Sequence, residues 1–191
     1  MKNTGLIILG VVILAVLAFA SFFISTYNKL QVMDEQVTAN WAQVENQLKR
    51  RNDLIPNLVS TVKGYAKHEN EVFTKIADAR SKLSGAMNNN DVKGVQQSAN
   101  ELNSALSRLL MVVENYPTLK ADKSFTALQD ELAGTENRLA VARRDYNESV
   151  KSINALLRTF PTSLIAAFTG IKQREYFEIS ESEKETPKVE F

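Results

Sequence analysis

Residues 5–24 read GLIILGVVILAVLAFASFFI, twenty consecutive positions without a charged side chain. As a helix rising about 1.5 Å per residue, the run spans about 30 Å, the thickness of a bilayer's hydrocarbon core. A helix of this length on the surface of a water-soluble domain keeps a polar face, and this run has none. It predicts a single membrane span, marked by Gly5, Leu9, Leu14, Ala18, Phe22 and Ile24, within an anchor at residues 1–26. A cleaved signal peptide is the competing reading. Ala18-Phe19-Ala20 imitates its small-residue exit, but Phe22, Phe23 and Ile24 carry the run past that point. A lipid bilayer is thus the first expected partner. Lys2 precedes the span and only Lys29 lies within twenty residues after it, a slight lean towards an outward-facing body.

Composition narrows the chemistry. The chain has no cysteine and one histidine, His68, which removes disulfides, thiolate metal sites and nearly all histidine catalysis. His68-Glu69 is the one histidine–carboxylate neighbour pair, and adjacent helical positions point too far apart to chelate one ion. No Glu-x-x-His, His-x-x-x-His, Gly-x-Ser-x-Gly or phosphate-binding glycine loop is present. No catalytic residue, cofactor site or metal site is assigned. With 23 basic and 22 acidic residues there is no global field for nucleic acid, and no nucleic-acid partner is expected.

From Tyr27 onward the apolar period is helical. Leu30, Val37, Val44, Leu58, Tyr65 and Val72 share one heptad position, and Trp41, Leu48, Ile55, Val62, Ile76 and Leu83 its partner. A second seam runs from Val92 to Val113, and a third through Phe125, Leu132, Leu139, Tyr146, Ile153, Leu156 and Phe160. Period-two alternation is absent beyond a few residues, so strands are not expected. Pro56 interrupts the first seam; Gly85–Asp91 reads as a loop with Asp91 as N-cap; Tyr116-Pro117 ends a helix; Ser124 caps the next; Phe160-Pro161 closes it. The fold class is all-α. The segments 28–54, 57–84, 91–115 and 124–159 suit an up-down antiparallel four-helix bundle behind the transmembrane helix. The heptad phase continues through Pro56, however, and the alternative is one long kinked helix over 28–84 packed by two further helices. The helical body is assigned to 27–172. Its last part, the short apolar helix around Phe168, reads as a cap on the body or as a contact with a membrane or a neighbouring subunit. The glutamate-rich stretch 173–191 is expected to be disordered.

Charged residues on the seams read as structural. Arg50 and Asp53 have the spacing of a surface pair. Arg51 falls on the apolar seam and must find a carboxylate or reach solvent at the end of the body. Arg143-Arg144-Asp145 reads as a solvated helix surface.

The residues now collected carry a specific likeness. Asn40-Trp41-Ala42-Gln43-Val44-Glu45-Asn46-Gln47-Leu48-Lys49-Arg50-Arg51-Asn52-Asp53-Leu54-Ile55-Pro56, followed by Val62-Lys63-Gly64-Tyr65-Ala66 and Ala79-Arg80, resembles the LemA family signature. Glu114-Asn115-Tyr116-Pro117, Thr135-Glu136-Asn137-Arg138, Ala142-Arg143-Arg144-Asp145-Tyr146-Asn147, Phe160-Pro161 and Phe177-Glu178 extend it along the chain. Ile171 departs from it, where the family usually has phenylalanine. The resemblance implies a single-pass protein of the bacterial cell membrane with a four-helix domain. It supplies no reaction. It brings the family's association with envelope processes, membrane-compartment formation and membrane proteases, and a body often described as cytoplasmic, so the side of the body stays undetermined.

Two functions follow as expectations. The first is a non-enzymatic membrane-anchored interaction or scaffold module that self-associates or organises other membrane proteins, a membrane protease among them. The alternative is an extracytoplasmic four-helix sensor that binds a small ligand and signals through a partner. Structural or interface positions are Trp41, Arg50, Arg51, Asp53, Pro56, Tyr116, Pro117, Arg143, Tyr146, Phe160 and Phe168.

Overall fold

A computed structural model of the chain describes residues 2–66, 68–89 and 91–178, with side chains from residue 4 onward. The described residues are all-helical and contain no strand: α1 (Lys2–Tyr65), α2 (Asn70–Asn88), α3 (Val92–Val113), α4 (Pro117–Lys120), α5 (Lys123–Arg158) and α6 (Thr162–Thr169). The apolar run forms the start of α1, and none of its most hydrophobic window is buried.

The chain divides into two compact units. One holds the segment up to Ala39 together with Glu148–Arg174, and the other holds Asn40–Asn147 with the segment from Glu175. In the first unit Leu30, Val37, Val150, Ile153 and Leu157 are buried. Arg174 ties α1 to α5 there: its Nε and Nη2 donate to the Asp34 carboxylate at 2.9 and 2.8 Å. Its backbone is held by Asn154, whose Nδ2 donates to the Arg174 carbonyl and whose Oδ1 accepts the Arg174 N–H.

In the second unit the buried positions follow the sequence seams on α1 (Val44, Leu48, Ile55, Leu58 and Val62) and α3 (Val95 to Val113), and Phe125, Leu139, Ala142 and Tyr146 are buried on α5. On α2 the seam is corrected: Phe73 and Ala79 are buried with Ile76 and Leu83, whereas Tyr65 is exposed and Val72 half-buried, because the helix ends between them and the heptad phase does not carry across. Side-chain ties show the directions of neighbours. On α1 and α5, Asn40 bonds the Asp145 carbonyl, Arg51 meets Glu136 and Tyr65 reaches Asp122, an antiparallel order. Asn52 meets Ser84 while Lys63 lies over the Phe73 ring, so α1 and α2 are antiparallel as well.

Pro56 neither ends a helix nor kinks one that runs to residue 84. α1 passes through it and stops at Tyr65, and α2 begins at Asn70. The physical reason is a replaced hydrogen bond. Proline has no N–H, so the Asn52 carbonyl four residues earlier loses its helical partner. Arg80 of α2 supplies another, its Nε donating to the Asn52 carbonyl at 3.2 Å and to Asn52 Oδ1 at 3.1 Å.

The other punctuation is shorter than the sequence suggests. α2 continues through Gly85 to Asn88, which narrows the expected loop. Asp91 does cap α3, its carboxylate accepting the Gly94 N–H at 3.0 Å. A Cβ at position 94 would come within 2.2 Å of that carboxylate, so any other residue there would have to displace the capping side chain. The cap of α5 is Asp122 and not Ser124: Asp122 Oδ1 accepts the N–H groups of Ser124 and Phe125. Two acceptor contacts outweigh what one hydroxyl offers. Foremost the Phe125 N–H, and also the Tyr65 hydroxyl, hold the Asp122 carboxyl below its ordinary pKa. Pro117 opens α4 at its first turn, and Gly170 ends α6 in the left-handed region at φ 74°.

Within the stretch 173–191, residues 173–178 are neither helix nor strand and are pinned by side chains, with Phe177 buried. Residues 179–191 of that stretch lie outside the described residues.

Candidate functional site

The second unit gathers aromatic and charged side chains where α1, α5 and the segment after Glu175 meet. Trp41 on α1 and Tyr146 on α5 occupy inward helical positions, and their rings lie 5.2 Å apart. The Phe177 ring stands 6.3 Å from Trp41, and the Arg143 guanidinium lies 4.7 Å over the Phe177 ring. Such stacking of a cation on an aromatic face adds attraction where water is excluded.

The segment carrying Phe177 is held through its backbone. The Tyr146 hydroxyl donates to the Glu175 carbonyl at 2.8 Å. Asn147 binds Phe177 twice, donating to its carbonyl and accepting its N–H, both at 2.8 Å. Gln96 of α3 accepts the Glu178 N–H, and Lys93 pairs with Glu175 at 3.0 Å. Sequence reasoning missed Asn147, Gln96 and Lys93 as site residues. The available signal was Phe177 itself, a large apolar group within a glutamate-rich stretch.

Below the aromatic group lies an ion chain. Arg51 Nη1 is 2.6 Å from Glu136 Oε2, and Arg143 Nη1 is 3.8 Å from Glu136 Oε1. Of the two outcomes open to Arg51, pairing with a carboxylate is the one realised. Burial lowers the Arg51 pKa, with Glu136 opposing the shift. The solvated-surface reading is corrected for Arg143, whose side chain is only 15% exposed; it holds for Arg144, which pairs with Asp145 in the open. Arg50 is corrected as well. It reaches across to Glu131 of α5 instead of Asp53, and Asp53 is exposed.

Beside Arg51 and Glu136 runs a groove of about 340 Å³ between α3 and α5, lined by Leu58, Leu106, Leu110, Leu132 and Ala133. It has an apolar wall with an ion pair at one end, the composition of a small-molecule site. Tyr116 accepts the first bonds of α4 through its carbonyl and is half-buried beside Pro117. Phe160 and Phe168 belong to the first unit and are strongly exposed. His68 is exposed, and among the described residues no cluster of three or more histidines or carboxylates is placed to hold a metal ion.

The arrangement can hold elements together and present surfaces. The sequence profile of the LemA family matches residues 40–191. The chain is 28% identical to Magnetosome protein MamQ 2 of Paramagnetospirillum magneticum, over 87% of this chain and 70% of the relative. Identity to Magnetosome protein MamQ of Magnetospirillum gryphiswaldense is 25%, over 90% and 71% respectively. Identity to Protein LemA of Metamycoplasma hominis is 26%, over 90% and 78%. None of these names is an enzyme name.

Proposed function

This chain belongs to the LemA family, and from that membership we propose that it is a membrane-anchored helical module that acts by binding other proteins and copies of itself, without catalysis. The observation that carries the reading is the start of α1, an apolar run whose most hydrophobic window is wholly unburied, on the same helix that supplies Val44 to Val62 to the core. A water-soluble protein has no use for so long an uncharged and mostly bare apolar run, whereas a bilayer covers it. The magnetosome names of two relatives support association with a membrane compartment, and none of the three names adds a reaction.

The antiparallel ties among α1, α2 and α5 support an up-down four-helix arrangement of residues 40–147. Anchor 1–26 and helical body 27–172 are the corresponding parts. Partners then fit two descriptions, a second copy and other proteins of the same bacterial membrane, including a membrane protease. Light scattering and chemical crosslinking of the full chain, extracted in mild detergent, test this. Oligomers or crosslinked membrane partners are expected, and a strict monomer with no crosslinked partner would overturn the proposal.

The groove between α3 and α5 favours a second reading, a sensor domain for a small ligand that signals through a partner. A metabolite library screened by thermal shift addresses it. Saturable stabilisation by one compound, abolished when a bulkier residue fills the groove at Ala133, would put this reading first.

A further inference from the structure

We propose that α6 and the turn before it form a second membrane contact, lying in the anionic headgroup boundary beside the span; this rests on the reading of the apolar run as a span. Phe160, Leu164 and Phe168 are 81%, 56% and 85% exposed. They are spaced by four residues, so Leu164 and Phe168 share one face of α6 and Phe160 precedes it in the turn. The opposite face, with Thr162, Ile165 and Ala166, is buried. A helix that is apolar on both faces leaves one of them bare in water, and two phenylalanines are the largest bare groups of this unit after the apolar run itself.

Three observations choose a lipid surface as the occupant. The first is continuity. Leu30 is buried, and Thr26 and Phe23 on the same stripe of α1 are half-buried, whereas the other residues from 4 to 29 are exposed. The cover therefore reaches the last residues of the apolar run, and besides α1 the unit contains only residues 148–174. The second is the anchoring of that cover. Asp34, ten residues past Ile24, is held through Arg174 to Asn154, one turn short of the end of α5 from which α6 follows. The third is charge. Arg158 and Lys172 flank α6, Arg174 being paired with Asp34, and no acidic residue occurs from 158 to 174, although six glutamates follow. Basic flanks around an apolar face suit anionic headgroups.

The absence of cysteine makes the test direct, because one introduced thiol is the only labelling site. Leu164→Cys, Phe168→Cys, Leu14→Cys and Lys151→Cys variants of the full chain carry a polarity-sensitive fluorophore. Each is reconstituted into vesicles of phosphatidylcholine and phosphatidylglycerol, with and without nitroxide-bearing lipids. Leu14 should be quenched most by deep nitroxides, and Leu164 and Phe168 most by headgroup-proximal ones. Lys151, exposed on α5, should be quenched least. Omitting phosphatidylglycerol should weaken quenching at 164 and 168 and leave Leu14 unchanged. If Leu14 is quenched while 164 and 168 behave like 151, the span stands and the second contact is wrong. A blue-shifted but unquenched probe at 168 would instead assign the face to a protein partner. An unquenched Leu14 would remove the span and this proposal together.

Discussion

Glu136 serves two guanidiniums, and the three side chains differ in what removal does. Arg51 is 11% exposed, and its burial outweighs the attraction of Glu136, so this charge is poorly repaid by its ion pair. Arg51→Leu leaves Glu136 beside Arg143 and places an apolar group on an apolar seam. Its expected effect on unfolding free energy lies within about 1 kcal/mol. Glu136→Gln leaves two mostly buried guanidiniums without that carboxylate and should cost about 2 kcal/mol or more. Urea unfolding of the two variants checks the asymmetry, and an equal loss in both would contradict it. The sequence marked Arg51 because it interrupts a run of Leu48 and Ile55. Arg143 carried no such mark, since its neighbours Arg144 and Asp145 are solvated and its burial depends on Phe177, thirty-four residues away.

Helix α1 illustrates how an element survives a local rule against it. A proline within a helix costs a hydrogen bond and steric room, so a break near residue 56 is the natural reading from sequence alone. Arg80 changes that balance by bonding the carbonyl that proline leaves open. The two residues should therefore be coupled. Arg80→Ala is expected to cost about 1–2 kcal/mol with Pro56 present, and less by about 0.5–1 kcal/mol in a Pro56→Ala background, where the helix satisfies Asn52 itself. Thermal unfolding of the four variants measures the coupling, and strict additivity would show that Arg80 is not acting through that carbonyl. The α5 start makes a related point. Ser124 and Asp122 are both acceptable caps by residue type, and only the backbone path decides that Asp122 faces the free N–H groups of Ser124 and Phe125.

At the scale of the whole molecule, the apolar run dominates behaviour. Full-length protein in native membranes should remain in the pellet after high-salt and alkaline carbonate washes, because twenty apolar residues in lipid far exceed what surface charge can hold. Release into the supernatant by either wash would show that the run does not cross the bilayer. Neither treatment depends on which side the body faces. Protease access in intact cells decides that side and with it the set of reachable partners.

The sequence by itself determined the helical class, the apolar run, the α3 cap at Asp91 and the core positions from Val44 to Val62 and from Val95 to Val113. Each rests on local spacing, on the 3.6-residue period or on a charge-free length, and local spacing is fully written in the chain. The tertiary structure decided where α1 ends, which carboxylate each of Arg50, Arg51 and Arg143 meets, and that residues 173–178 are held. Those outcomes depend on contacts between residues far apart in sequence: Arg80 on Asn52, Glu136 between two arginines, Asn147 on the backbone of Phe177. A hydrogen bond of that kind leaves no period behind it, so only the folded geometry reveals it.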